Sequence, residues 1–137
     1  MGEKTYSECV SDFLNFLRDA AQQYRMAVTT QQESENETQD ILHSLELENH
    51  TYNEVARLGK RLSEVRKNRR SAKDIIAATS PIVDWADTNA ASIKAIERLL
   101  GDVRKGERYA ENRIFTPRTA ILDEEATTKT KPKNSKK

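Results

Sequence analysis

The fold of this chain depends on residues 38–79, which read TQDILHSLELENHTYNEVARLGKRLSEVRKNRRSAKDIIAAT. Apolar residues recur here at spacings of three, four and seven, the pattern of a buried stripe on an amphipathic helix. They are Ile41, Leu42, Leu45, Tyr52, Val55, Leu62, Val65, Ala72, Ile75 and Ile76. The pattern predicts one long helix over residues 38–79. A helix of roughly 40 residues spans about 60 Å and cannot bury its own stripe, so the flanking segments should pack on it.

The segment before this stretch predicts a first helix, from Thr5 or Ser7 to Thr30. Thr5 and Glu8 have the spacing of a capping box, which marks a helix start. Four-three spacing predicts one coiled-coil seam, with a second seam beside it. The first seam is Val10, Leu14, Leu17, Ala21, Tyr24 and Val28, and the second is Phe13, Ala20 and Ala27. Residues 29–40 contain no apolar residue, which favours a polar hairpin loop. The alternative is an exposed helical extension, because Gln and Glu are good helix formers.

A third helix is predicted from Pro81 to about Lys105. Ser80 is a good N-cap, proline is favoured at the first helical position, and Gly106 is a plausible stop. The predicted seam is Ile82, Ala86, Asn89, Ile93, Ile96, Leu100 and Val103. Two alternatives stay open: a helix break near Asn68, and an extension of the third helix over residues 107–112.

The sequence changes character after Gly106. Thr116 precedes Pro117 and is therefore biased away from helix, so residues 107–122 are read as an arm that extends from the bundle. The candidate docking residues of this arm are Arg113, Ile114, Phe115, Pro117 and Arg118. Residues 123–137 are predicted to be a disordered Lys-rich tail. The expected fold is all-α: an antiparallel three-helix bundle or elongated coiled coil over residues 1–122, which we expect to form a homo-oligomer.

Composition narrows the class of protein. The 137 residues include 23 basic and 22 acidic ones, but residues 1–60 carry a net charge of −6 and residues 61–137 one of +7. The single cysteine, Cys9, excludes an intrachain disulfide, and we expect it to be a small buried residue. No apolar run approaches the length of a membrane span, and the N-terminus does not resemble a signal peptide. We therefore expect a cytoplasmic protein that does not enter membranes.

The densest basic segment is the main candidate for a binding surface. Its residues are Lys60, Arg61, Arg66, Lys67, Arg69, Arg70 and Lys73. In a helix, Arg66, Arg69, Arg70 and Lys73 share one face, and a line of cations can follow a phosphate backbone. The alternative is that these cations pair with the acids of residues 33–54 on a neighbouring helix.

Catalytic chemistry is not indicated by the sequence. No glycine-rich phosphate loop and no Ser-His-Asp arrangement occurs. His43, Glu46 and His50 are spaced along a helix, but no further residue completes a metal site. The acids Glu33, Glu37 and Asp40 lack a matching pair on a second helix. We therefore expect a protein that is not an enzyme and uses no cofactor and no metal.

A set of short motifs resembles small uncharacterised helical proteins of Firmicute phages and related mobile elements. The motifs are Arg66-x-x-Arg69-Arg70-x-x-Lys73-Asp74, Pro81, Val103-Arg104-Lys105 and Glu111-Asn112-Arg113-x-x-x-Pro117-Arg118. The resemblance covers about residues 40–118. It implies a cytoplasmic, non-structural accessory protein without known catalytic residues. The expected function is a non-enzymatic interaction protein that binds and modulates a host protein complex, for example a defence nuclease. The alternative is nucleic-acid binding through the basic segment.

Overall fold

The protein is an all-α helical bundle, as the sequence predicts. The computed structural model describes residues 2–113, which form three α-helices and no strand: α1 (Tyr6–Leu47), α2 (Tyr52–Thr88) and α3 (Ala90–Asn112). Helix α1 packs most closely with α2. A boundary between two compact units lies within α3, after Leu100. Most of the predicted arm and the whole of the predicted tail, residues 114–137, lie outside the described residues.

Helix α1 begins at the predicted capping box. The Thr5 hydroxyl accepts a hydrogen bond from the backbone N–H of Glu8 at 3.1 Å, and the Glu8 carboxylate accepts one from the backbone N–H of Thr5 at 2.8 Å. These bonds satisfy two of the backbone donors that every helix start leaves unpaired.

The preferred loop over residues 29–40 is wrong, because α1 continues through them to Leu47. Side-chain hydrogen bonds one turn apart, Gln31 to Glu35 at 3.3 Å and Gln32 to Asn36 at 3.1 Å, support the helix there. Ser34 and Thr38 also continue the buried seam between Ala27 and Ile41. Polar residues occupy seam positions here, so hydrophobicity alone did not reveal the helix.

The single helix predicted over residues 38–79 is also wrong, because the chain turns between Leu47 and Tyr52. A second capping box starts α2: the Thr51 hydroxyl accepts from the N–H of Glu54 at 3.2 Å, and the Glu54 carboxylate accepts from the N–H of Thr51 at 2.9 Å. That backbone hydrogen bond lowers the pKa of Glu54. His50 Nε2 lies 2.9 Å from the carbonyl oxygen of Ser44, which holds the turn against the end of α1.

Helix α2 has neither of the boundaries expected near Asn68 and Pro81. It runs without a break to Thr88, with Pro81 inside it. A proline inside a helix removes one backbone hydrogen bond and costs about 3 kcal/mol. Buried and half-buried positions nevertheless continue at four-three spacing on both sides of Pro81, so packing along the helix keeps it continuous. They are Leu58, Leu62, Val65, Arg69, Ala72, Ile76, Thr79, Val83 and Ala86.

The core is the seam between α1 and α2. Its buried residues are Leu14, Leu17, Ala20, Ala27, Ser34, Thr38 and Ile41 on α1, with Val65 and Ala72 on α2. Both predicted seams of the first helix contribute to it, although Phe13 and Val28 are exposed. Ion pairs join Glu37 to Arg61 and Glu35 to Arg69, so position along α1 decreases as position along α2 increases. The two helices therefore form an antiparallel hairpin with a short turn.

Candidate interaction surfaces

Two of the seven predicted basic residues pair with acids of α1. Arg61 makes a two-point contact with Glu37, Nε to Oε2 at 2.5 Å and an outer guanidinium nitrogen to Oε1 at 3.0 Å. The Glu37 carboxylate raises the pKa of Arg61. Arg69 lies in the seam, its side chain 31% exposed, and its Nε is 3.2 Å from Glu35 Oε2. These two arginines follow the alternative reading, in which the cations neutralise acids of a neighbouring helix.

The other five cations remain exposed: Lys60, Arg66, Lys67, Arg70 and Lys73. Within residues 2–113, no acid lies within ion-pairing distance of any of them. Arg66, Arg70 and Lys73 follow one another at helical spacings of four and three, so they share one face of α2 beside the seam. We call these three residues the α2 basic face. The predicted face of four is therefore a face of three, with Arg69 turned toward α1.

An open groove of about 340 Å³ lies between α1 and α2 beside this face. Its lining residues are Glu35, Thr38, Gln39, Leu42, Arg66 and Arg69. The Thr38 hydroxyl is buried and has no hydrogen-bond partner in the part of the chain that the structure describes. A buried polar atom without a partner is costly, so this position weakens the seam.

The candidate histidine and acid clusters of α1 are not brought together as metal sites. His43 is exposed on α1, whereas His50 lies in the turn against Ser44. Glu37 is held by Arg61. Among residues 2–113, no group of three or more His, Cys, Asp or Glu side chains has the geometry to hold a metal ion.

The N-terminal half of α1 exposes aromatic side chains. Phe13 and Phe16 stack with ring centroids 6.5 Å apart, and their side chains are 42% and 52% exposed. Cys9, one turn earlier on the same side, is exposed as well. The expected burial of Cys9 is therefore wrong, because the seam uses Leu14 and Leu17 instead.

Helix α3 carries an apolar stripe that the described residues bury only in part. Ile93, Ile96 and Leu100 are half-buried and Leu99 is 49% exposed, and α3 has no buried residue. We call these four residues the α3 stripe. Ile93, Ile96 and Leu100 were predicted as seam residues, so the sequence located the stripe. In the described residues, however, it stays accessible to a partner.

The end of α3 forms a surface that the sequence analysis missed. Gly106 does not stop the helix, which continues to Asn112 as the open alternative allowed. Lys105, Arg108, Tyr109, Asn112 and Arg113 line a depression of about 530 Å³. Counted from Lys105, the other four lie three, four, seven and eight residues later, which places them on one helical face. The sequence shows this pattern once residues 107–112 are taken as helix. Of the five candidate docking residues of the predicted arm, only Arg113 lies within the described residues, and it is exposed.

Comparison with known proteins gives no relative: no family model, no curated protein and no solved structure matches the chain. Residues 2–113 contain no helix that is both long and apolar enough to span a membrane. The surfaces described above are therefore the basis for a functional assignment.

Proposed function

We propose that the protein is a non-enzymatic helical interaction protein that binds a protein partner through the α3 stripe. The observation that carries this proposal is an amphipathic helix without a single buried residue. Amphipathic helices commonly bind by laying their apolar face into a groove or against another helix, with anchors three and four residues apart. Ile93, Ile96 and Leu100 have this spacing.

The partner that we propose is a host protein complex. The support is the resemblance of residues 40–118 to small helical phage and mobile-element proteins, for which redirection or inhibition of a host complex, such as a defence nuclease, is a natural use. A homo-oligomer formed through the same stripe is part of the proposal. An exposed stripe of this kind attracts a second copy as readily as a foreign helix.

The double change Ile96→Glu/Leu100→Glu places two charges on the α3 stripe. We expect the variant to capture no protein from lysate and to bind the partner of the wild type about 30-fold more weakly or worse, because buried apolar anchors dominate such interfaces. The measurement is photo-crosslinking from position 99 in nuclease-treated host lysate, followed by titration of the captured protein. Light scattering should show the wild type as an oligomer and the variant as a monomer.

The matched control is Ala91→Glu/Ala95→Glu, which adds the same charge at exposed positions of α3 off the stripe. This control should retain both capture and self-association, and circular dichroism should show that both variants are helical. Equal capture by the wild type and the stripe variant would contradict the proposal, as would a monomeric wild type that captures nothing.

A second candidate function, nucleic-acid binding, is favoured by the exposed α2 basic face. Arg66→Ala/Arg70→Ala/Lys73→Ala should leave the fold intact, since alanine is a good helix former and none of the three is paired in residues 2–113. If the face binds duplex DNA, the slope of log affinity against log salt should fall by about 2.7, roughly 0.9 for each phosphate contact. Arg61→Ala is the control, because Glu37 already engages that side chain. Absence of duplex binding at low salt would remove this candidate.

A further inference from the structure

The end of α3 presents an aromatic ring among unpaired cations. Tyr109 is 70% exposed, and Lys105 and Arg108 lie one turn and one residue before it on the same face. Arg113 continues the face one turn later, with Asn112 beside it. We call these five residues the α3 terminal face. It shares no residue with the α3 stripe or with the α2 basic face.

The charge of this face is all of one sign. Its three cations have no acid within ion-pairing distance among residues 2–113. At about 100° of rotation per residue, Glu107 lies on the other side of the helix, whereas Glu111 lies at the edge of the face, one turn after Arg108. Asp102 lies on the same side as the face, one turn before Lys105. The five residues of the face carry a charge of +3, which exceeds that of these two flanking acids, so the face suits an anionic ligand.

Tyr109 distinguishes a ligand-binding role of the α3 terminal face from a simple interaction of its cations with the helix dipole. Cations near the end of a helix also offset the helix dipole, and this needs no ligand. A tyrosine ring that is mostly in water contributes nothing to that effect and little to packing. Aromatic rings between cations are, however, the arrangement on which unpaired bases stack while the cations contact the phosphates.

We propose that the α3 terminal face binds single-stranded nucleic acid. Tyr109 stacks on an unpaired base, Lys105, Arg108 and Arg113 contact the phosphates on either side, and the Asn112 amide hydrogen-bonds to a base edge. A duplex is a poorer ligand because its bases are already stacked and offer no free face to the ring. Binding at this face does not depend on the protein partner of the α3 stripe.

The experiment is titration of the full chain with a labelled oligothymidylate of about 15 nucleotides, the matching RNA and a duplex of equal length. Tyr109→Ala should weaken single-strand binding by about 5- to 150-fold, the range found when a base-stacking aromatic is removed. Tyr109→Phe keeps the ring and should bind within about twofold of the wild type. Lys105→Ala/Arg108→Ala should lower the salt slope by about 1.4, roughly 0.7 for each phosphate contact on a single strand.

Two controls locate the site. Tyr52→Ala removes a tyrosine that is 87% exposed on α2 and should bind as the wild type does. Arg66→Ala/Arg70→Ala/Lys73→Ala tests the α2 basic face, and it should leave single-strand binding and its salt slope unchanged. The proposal is overturned by absence of single-strand binding at low salt, by equal losses in Tyr109→Ala and Tyr52→Ala, or by a loss confined to the α2 variant. Binding to anionic phospholipid vesicles without binding to any oligonucleotide would likewise overturn it. None of these results alters protein capture in nuclease-treated lysate, so the two proposals fail separately.

Discussion

Val65→Asp should unfold the α1–α2 hairpin or leave it marginally stable. Val65 is 1% exposed and is the largest side chain that is fully buried in the described residues. The change removes its apolar contacts and places a carboxylate in the seam without a partner, and an unpaired buried charge costs about 3–5 kcal/mol. Typical domains are stable by only about 5–15 kcal/mol. Urea unfolding followed by circular dichroism should therefore show a large drop in the midpoint.

Two further variants separate the effect of burial from that of residue type. Val65→Ala removes two methyl groups and should cost about 1.5–3 kcal/mol. Ser63→Asp introduces the same charge at an exposed position two residues earlier, and it should change stability by less than about 0.5 kcal/mol. If Val65→Asp and Ser63→Asp unfolded at the same urea concentration, the seam between α1 and α2 would not exist in solution.

Thr38→Val should stabilise the hairpin by about 1–3 kcal/mol. The Thr38 hydroxyl is buried without a hydrogen-bond partner in residues 2–113, and such a group costs about this much. Valine has nearly the same shape and a similar helix propensity, so the change removes the polar atom and little else. The measurement is the urea midpoint, with an unchanged m-value showing that the same surface is exposed on unfolding.

Thr30→Val is the matched control for this prediction. Thr30 is an exposed threonine of the same helix, so the change should shift the free energy of unfolding by less than about 0.5 kcal/mol. A loss of stability in Thr38→Val would mean that the hydroxyl has a partner in solution. The buried polar positions Ser34 and Thr38 would then set the register of the two helices, as a single buried polar residue does in coiled coils.

The all-α class and the start of α1 were predicted correctly from local sequence signals. The capping box of Thr5 and Glu8 was predicted and is present, because a cap satisfies backbone donors within four residues and needs no distant partner. The same motif recurs at Thr51 and Glu54 and was overlooked. Apolar spacing appeared continuous across it, since periodicity reports which face is apolar and does not report whether the chain reverses.

The length of α1 was decided by tertiary packing. Residues 29–40 are polar throughout, and isolated propensity left helix and loop both open. Their seam positions oppose α2, so Ser34 and Thr38 are buried although neither is apolar. Pro81 was predicted to start a helix because proline is favoured at the first helical position. Packing on both sides of Pro81 offsets the loss of one backbone hydrogen bond, so α2 stays continuous.

The sequence by itself determined that the chain is all-α, where the α3 stripe lies and which segment is most basic. It did not determine which residues of the predicted stripe over residues 38–79 are buried, because Leu42, Tyr52, Val55 and Ile75 are exposed. Only the tertiary structure decided which cations are free, because Glu37 is 24 residues from Arg61 and Glu35 is 34 residues from Arg69 along the chain. The antiparallel turn places these acids beside α2, which leaves Arg66, Arg70 and Lys73 exposed. Helical spacing fixes the face on which a charge lies, whereas its neutralisation depends on which residues the fold brings opposite to it.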